Sequence, residues 1–276
     1  MSEGIGLSSM LFVPGAKPER FAKALASDAD VVCIDLEDSV AASGKGAARA
    51  AAIASIAEGD PRLILRINGM MTRAGLEDLL ALADAARLPE LLFVPMVESA
   101  AEIAIIVSVL GDRAPGIVPL IETVKGLDAA REIASAPGVV AMMFGGGDFA
   151  AELGVMLAWE PLRTARSIFV MACASAGVPA IDVPFVALDD EAGLRAEAAA
   201  AKSLGFAGKA AIHPAQIAAI NAAFRSSPAE IAEAEAAQAA FDAAGGAAVR
   251  FNGRMLEAPI MRRYQRILAM RSKQDA

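Results

Sequence analysis

The chain has 276 residues, 56% of them hydrophobic, and its 33 acidic against 25 basic side chains leave a net charge of −8. That balance excludes a surface built to coat nucleic acid. No apolar stretch runs unbroken for the roughly 18 residues that a membrane helix needs. Met1–Gly6 lacks the basic start and apolar core of a signal peptide. Cys33 and Cys173 sit in apolar surroundings without paired spacing, so they are expected to be reduced core residues of a cytoplasmic protein.

Short β-branched apolar runs alternate with Ala-rich amphipathic stretches along the chain. The pattern predicts strands at Ser9–Val13, Val31–Leu36, Leu63–Ile67, Leu91–Pro95, Ile117–Ile121, Val139–Phe144, Ala180–Val183 and Lys209–Ile212. Helices are predicted at Pro18–Ser27, Lys45–Ala57, Leu76–Arg87, Ala100–Leu110, Gly126–Ala136, Pro161–Ala176, Glu191–Leu204 and Pro214–Phe224. Strands alternating with helices call for a parallel sheet, and eight such units call for a closed (β/α)8 TIM barrel over residues 1–224. An open doubly wound sheet would need a glycine-rich turn after its first strand, where only Pro14-Gly15 stands. Residues 225–276 form an extension with helical patterns at Pro228–Ala243 and Pro259–Met270 and a short hairpin-like stretch at Val249–Met255. Arg271–Ala276 reads as a frayed end. The extension is a cap over the barrel mouth, a surface brace or an oligomer contact.

Barrel active sites lie at the C-terminal strand ends, which makes the charged residues there the candidates. Strand two ends in Asp35-Leu36-Glu37-Asp38, strand three in Arg66-Ile67-Asn68 and strand five in Glu122-Thr123. Strand six runs through Phe144-Gly145-Gly146-Gly147 into Asp148, strand seven ends at Asp182 and strand eight at His213. Strand alternation puts Cys33 with Asp35, Ile64 with Arg66 and Leu120 with Glu122 on shared faces. Inward charges need a partner or an ion, and several acids with one arginine suit a metal plus an anionic substrate. Oxygen ligands without histidine favour Mg²⁺ over Zn²⁺. Read one at a time, the same residues are ordinary: Asp148 as a helix cap, Arg66 as a structural partner of Asp35.

Other chemistries lack parts. His213 is the only histidine, which leaves zinc sites and a Ser-His-Asp triad short of members, and it reads as a residue satisfied at a strand–helix junction rather than a catalytic one. Lys209 stands at the wrong end of its strand for a Schiff-base lysine. Lys17, Arg20 and Lys23, after Pro14-Gly15, are either a solvated helix face or a cluster that holds the phosphates of a bulky ligand such as coenzyme A. Lys45 and Arg49 are likewise surface charges or a second phosphate contact.

Taken together, several segments resemble the citrate lyase β-subunit-like branch of the HpcH/HpaI aldolase superfamily. These are Leu11-Phe12-Val13-Pro14-Gly15, Asp35–Val40 with Lys45 and Arg49, Leu65-Arg66-Ile67-Asn68, the segments around Glu122 and Asp148, Gly205–Lys209 and Ile212–Gln216. The resemblance implies a Mg²⁺-dependent carbon–carbon lyase acting on a β-hydroxyacyl thioester of the malyl-CoA or citramalyl-CoA type, working as a homotrimer. It also leaves open a citrate lyase β subunit acting on an acyl-carrier-protein thioester, or an aldolase of free hydroxy-keto acids. That aldolase branch usually uses a histidine near strand two, which is missing here. By position, the resemblance makes Glu122 and Asp148 the metal ligands and Arg66 the substrate-carboxylate arginine. Glu37 and Asp38 become acids that orient the site, and the backbone around Gly147 and Asp148 a carboxylate cradle. The stretch Phe251–Pro259 resembles a lid that reaches a neighbouring subunit's active site, with Glu257 where the family usually carries aspartate.

Overall fold

Alternating apolar side chains sort each strand into two faces, one toward the barrel axis and one toward the helices. On the second strand, Val32 and Ile34 join a core with Ala48, Ala52 and Ile56, spaced four apart so that they share one helix face. Val31 and Cys33, fully buried, fill the interior instead. The computed structural model describes residues 6–274. Within them eight parallel strands close into a barrel in sequence order. They are β1 (Ser9–Pro14), β2 (Val31–Asp35), β3 (Leu63–Arg66), β4 (Leu91–Val94), β5 (Gly116–Ile121), β6 (Met142–Phe144), β7 (Ala180–Asp182) and β8 (Gly208–Ala211). Pairing of Ser9 with Lys209 and Leu11 with Ala211 closes the ring. This is the TIM-barrel architecture.

Around it lie α1 (Phe21–Leu25), α2 (Lys45–Ala57), α3 (Arg73–Asp84), α4 (Ala100–Leu110), α5 (Val124–Asp128), α6 (Ala130–Ala134), α7 (Gly146–Leu153), α8 (Trp159–Ala176), α9 (Glu191–Leu204) and α10 (Ile217–Phe224). Strand and helix order follow the sequence pattern, with local differences. β6 begins at Met142 rather than Val139, because Val139 only bridges to Ile117 before the ladder starts. The helix expected at Gly126–Ala136 starts earlier and breaks in two. Thr123 caps it by accepting the Gly126 N–H, and Ala129 separates the halves. α7 is an additional helix hidden in the glycine run, ended by left-handed Gly154.

The described chain divides into two compact units, Leu7–Phe224 and the residues from Arg225 onward together with Gly6. The second holds α11 (Pro228–Ala243), an antiparallel pair of β9 (Val249–Phe251) and β10 (Arg254–Leu256), and α12 (Ala258–Gln274). A Ser227/Glu230 capping box opens α11. Ala237, Leu256 and Met261, with Phe241, Val249, Phe251 and Tyr264, make the small core of this unit. The end expected to fray is helical to Gln274. Asp275 and Ala276, like the Met1–Ile5 stretch read for a signal peptide, lie outside the described residues. Among the described residues no helix is long and apolar enough to cross a membrane. Both cysteines are free and buried; burial pushes the Cys173 thiol up to about 12.

Candidate active site

The C-terminal ends of β1, β2, β3, β5 and β6 surround a cavity of about 300 Å³. Its polar wall contains Asp35, Asp38, Arg66, Glu122, Gly147 and Asp148, while Phe12, Leu120, Met143, Leu157, Val183, Val186 and Ile212 supply apolar surface. A larger depression of about 610 Å³ lies at the opposite barrel end. Its arginines are occupied as local braces there, with Arg87 donating to the Gly59 carbonyl and Arg113 to the Ala83 and Ala85 carbonyls. Chemistry concentrates at the first mouth.

Asp35 organises that mouth. Its Oδ1 accepts Arg66 Nε–H at 2.7 Å and the Glu37 N–H at 2.9 Å, and its Oδ2 accepts the Ser39 N–H at 3.1 Å. Burial alone would raise the Asp35 pKa. The Arg66 hydrogen bond and charge, with Ser39 and the Glu37 backbone, outweigh it and hold the carboxyl below the ordinary range. Arg66 also lies over the Phe12 ring at 4.9 Å. Its Nη1 stands 2.7 Å from Glu37 Oε2 and its Nη2 3.6 Å from Asp38 Oδ2. The Glu37 contact is out of line for a hydrogen bond, so Oε2 remains buried without one.

The site is short of positive charge. Burial pushes Glu37 up to about 8; Arg66 opposes this, while Glu122, Asp38 and Asp35 add to it. Burial likewise lifts Glu122 to about 7, against the Met96 N–H and Arg66, with Asp148 and Asp38 adding. Glu122 follows β5 and is 4% exposed; its Oε2 accepts the Met96 N–H at 2.7 Å. Gly145 must be glycine here, because a Cβ would fall on the Glu122 side chain. Asp148 stands exposed in the first turn of α7, and its side chain does not cap that helix. Its reading as a simple cap is therefore corrected. Glu122 and Asp148 are oxygen donors, and an orphaned acid oxygen lies beside the same arginine, so a hard divalent cation fits the donor set. No three His, Cys, Asp or Glu side chains among the described residues gather closely enough to enclose a metal alone. Two carboxylates suit Mg²⁺, which keeps several waters.

Other expectations change. Asp182 does not join the mouth: it points toward the helices, where Arg166 Nε reaches its Oδ1 at 2.8 Å and Lys209 Nζ its Oδ2 at 2.6 Å. β7 is only three residues long, and neighbouring positions face opposite ways. Lys209 also bonds the Val183 carbonyl and Glu197. His213 turns its Nδ1 to the Ala215 N–H as a cap. Lys45 and Arg49 are not free surface charges. Lys45 donates to the Leu36 and Glu37 carbonyls and to Asn68 Oδ1, using all three protons. Arg49 binds Asp78, which in turn accepts from the Asn68 backbone and side chain. That relay fixes the Glu37 loop, and its buried Asp78 carried no sequence signal. Lys17 and Arg20 are exposed outside the cavity wall. Glu257, in the second unit, is exposed, and its backbone carbonyl accepts the Ile260 and Met261 N–H groups at the start of α12.

A family model described as HpcH/HpaI aldolase/citrate lyase matches residues 8–214. The chain belongs to that family. It is 35% identical to the L-malyl-CoA/beta-methylmalyl-CoA lyase of Cereibacter sphaeroides, covering 90% of this chain and 89% of that protein. It is 36% identical to the (3S)-malyl-CoA thioesterase of the same organism, covering 86% and 83%. Among solved structures, CitE of Mycobacterium tuberculosis in complex with magnesium, acetoacetate and coenzyme A superposes with a TM-score of 0.81 at 36% identity, covering 96% of this chain and 97% of that one. The HpcH/HpaI membership agrees with the barrel and with an acid-rich mouth.

Proposed function

We propose that the protein splits, or in reverse joins, a β-hydroxyacyl-CoA such as citramalyl-CoA or malyl-CoA, interconverting it with acetyl-CoA and an α-keto acid. The reaction class, a Mg²⁺-dependent carbon–carbon lyase acting on a CoA thioester, accords with family membership and with relatives that are lyases or bind magnesium and coenzyme A. The observation that carries the reading is the crowding of Asp35, Glu37, Asp38, Glu122 and Asp148 around the single Arg66, with a buried Glu37 oxygen left unbonded.

Glu122 and Asp148 hold the ion in this proposal, and bound Mg²⁺ supplies Lewis-acid polarisation of the substrate's hydroxyl and carboxylate oxygens. Arg66 receives the carboxylate: only its Nε–H is spent in an aligned bond, to Asp35, and the residue lines the cavity. Glu37 and Asp38 orient that arginine. The N–H groups at the start of α7, around Gly147 and Asp148, add donors for an anion. Lys17 and Arg20 meet the CoA phosphates. Residues 225–276 act as a lid over a neighbouring subunit of a cytoplasmic homotrimer, where Glu257 protonates the carbon freed by cleavage and takes its proton in reverse.

Glu122→Gln and Asp148→Asn should each abolish Mg²⁺-dependent turnover in a folded protein, since a cation that dehydrates reluctantly loses one of two protein ligands. More than about a tenth of wild-type rate in either variant would refute the ligand assignment. Glu257→Ala should leave CoA-ester binding unchanged and cut kcat by roughly 10²–10⁴-fold. Wild-type kcat in that folded variant would end the acid/base role. The similarity to a malyl-CoA thioesterase favours one second reading, hydrolysis of the thioester at the same site.

A further inference from the structure

Met96 lies two residues beyond β4 with φ at 57°. Among the described non-glycine residues only Asn252 shares that sign. Asn252 sits with Gly253 in the β9–β10 turn, where a left-handed backbone is the usual solution. Met96 has no such local reason. A non-glycine residue keeps a left-handed backbone only where its surroundings impose it, and such residues cluster at functional sites. Packing of the side chain does not impose it, for Met96 is 40% exposed.

Two backbone donors do. The Val97 N–H donates to the Leu120 carbonyl at 3.2 Å, tying this turn to β5. One residue earlier, the Met96 N–H turns to Glu122 Oε2 at 2.7 Å. The opposite side of Glu122 faces Gly145, where an added Cβ would meet Oε1 at 2.5 Å. One carboxylate oxygen is thus held by the β4–α4 turn, and the other faces the turn that leads to Asp148.

We propose that Met96 is a positioning residue: its left-handed backbone holds Glu122 Oε2 and leaves Oε1 for the divalent cation shared with Asp148. The inference rests on the metal reading above and concerns the backbone of Met96, not its side chain. Groups that orient a metal ligand are typically worth roughly 10–100-fold in metal affinity.

The test is binding of Mn²⁺ alone to the whole protein, followed by electron paramagnetic resonance, for wild type, Met96→Val, Met96→Gly and Glu122→Gln. A β-branched residue is the least tolerant of positive φ, so Met96→Val should weaken Mn²⁺ binding by roughly 10–100-fold. Met96→Gly keeps the N–H and adopts the angle freely, and should stay within about threefold of wild type. If Met96→Val does not fold, an ester in place of the Met96 amide removes the N–H while keeping the side chain, and should give the same weakening. Wild-type affinity in the ester protein or in folded Met96→Val, with binding lost in Glu122→Gln, would overturn the role of Met96 alone. Equal loss in Met96→Gly and Met96→Val would also overturn it, by pointing to the side chain. Equal binding by wild type and Glu122→Gln would overturn the metal reading, and this inference with it.

Discussion

Two ionic clusters of the barrel unit differ in a way that separates structure from function. Behind β7 and β8, Arg166 and Lys209 face Asp182 and Glu197, two cations against two acids. Arg166, Asp182 and Lys209 are fully buried or nearly so, and Arg166 further stacks on Phe144 and Trp159. At the mouth, Arg66 alone answers Asp35, Glu37, Asp38, Glu122 and Asp148. A buried charge is tolerated when it is paired and hydrogen-bonded. The first cluster meets that condition from its own residues, whereas the second lacks positive charge and opens on a cavity. Satisfied charge marks the frame, and unsatisfied charge marks the place where something else is to bind.

The largest effect is expected in the frame. Lys209→Met leaves Asp182 and Glu197 without their ammonium partner, and removing one member of a buried pair costs about 3–5 kcal/mol. Urea unfolding should show a loss of that order. A loss below about 1 kcal/mol, as for exposed pairs, would remove the contrast.

Arg66→Lys should act on catalysis. Lysine keeps the charge but not the planar fork that grips a carboxylate. A fall in kcat/KM on the order of 2–4 kcal/mol is expected. Near-normal kcat/KM would make Arg66 a structural partner of Asp35 and assign the mouth's arginine to the frame.

The smallest effect is on acid stability. Because the folded Asp35 pKa is depressed, the Asp35–Arg66 pair stabilises the fold fully above an unfolded value of about 4 and loses that contribution as pH falls through the folded value. Thermal unfolding from pH 5 downward should show a shallower acid limb for Asp35→Asn than for wild type. Parallel limbs would remove Asp35 from the set of groups that stabilise the native state.

Much of this was readable in the sequence where periodicity and residue type carry the signal. Eight apolar runs forecast eight strands, and the acids after the fifth and sixth forecast Glu122 and Asp148 at one cavity. Asp182 misled because strand-end position does not reveal facing in a strand of three residues, where a shift of one residue reverses the side. Lys45 and Arg49 looked like surface charge, since the Asp78 and Asn68 that receive them come from a later unit of the barrel. Met96 acts through its N–H, which every residue but proline possesses, so no residue pattern could announce it. For Glu257 the sequence supplied only a resemblance, and the structure adds an exposed acid at the start of α12.

In the proposed function the acid-rich mouth binds Mg²⁺ and breaks a carbon–carbon bond in a CoA thioester. Mass spectrometry of products from a panel of β-hydroxyacyl-CoA esters, with Mg²⁺ and with the metal chelated, tests it most directly. Acetyl-CoA plus an α-keto acid should form from at least one malyl-type ester, only when Mg²⁺ is present and only with Glu122 intact. Free coenzyme A plus an intact hydroxy acid as the sole products, or equal yields with the metal chelated, would contradict it.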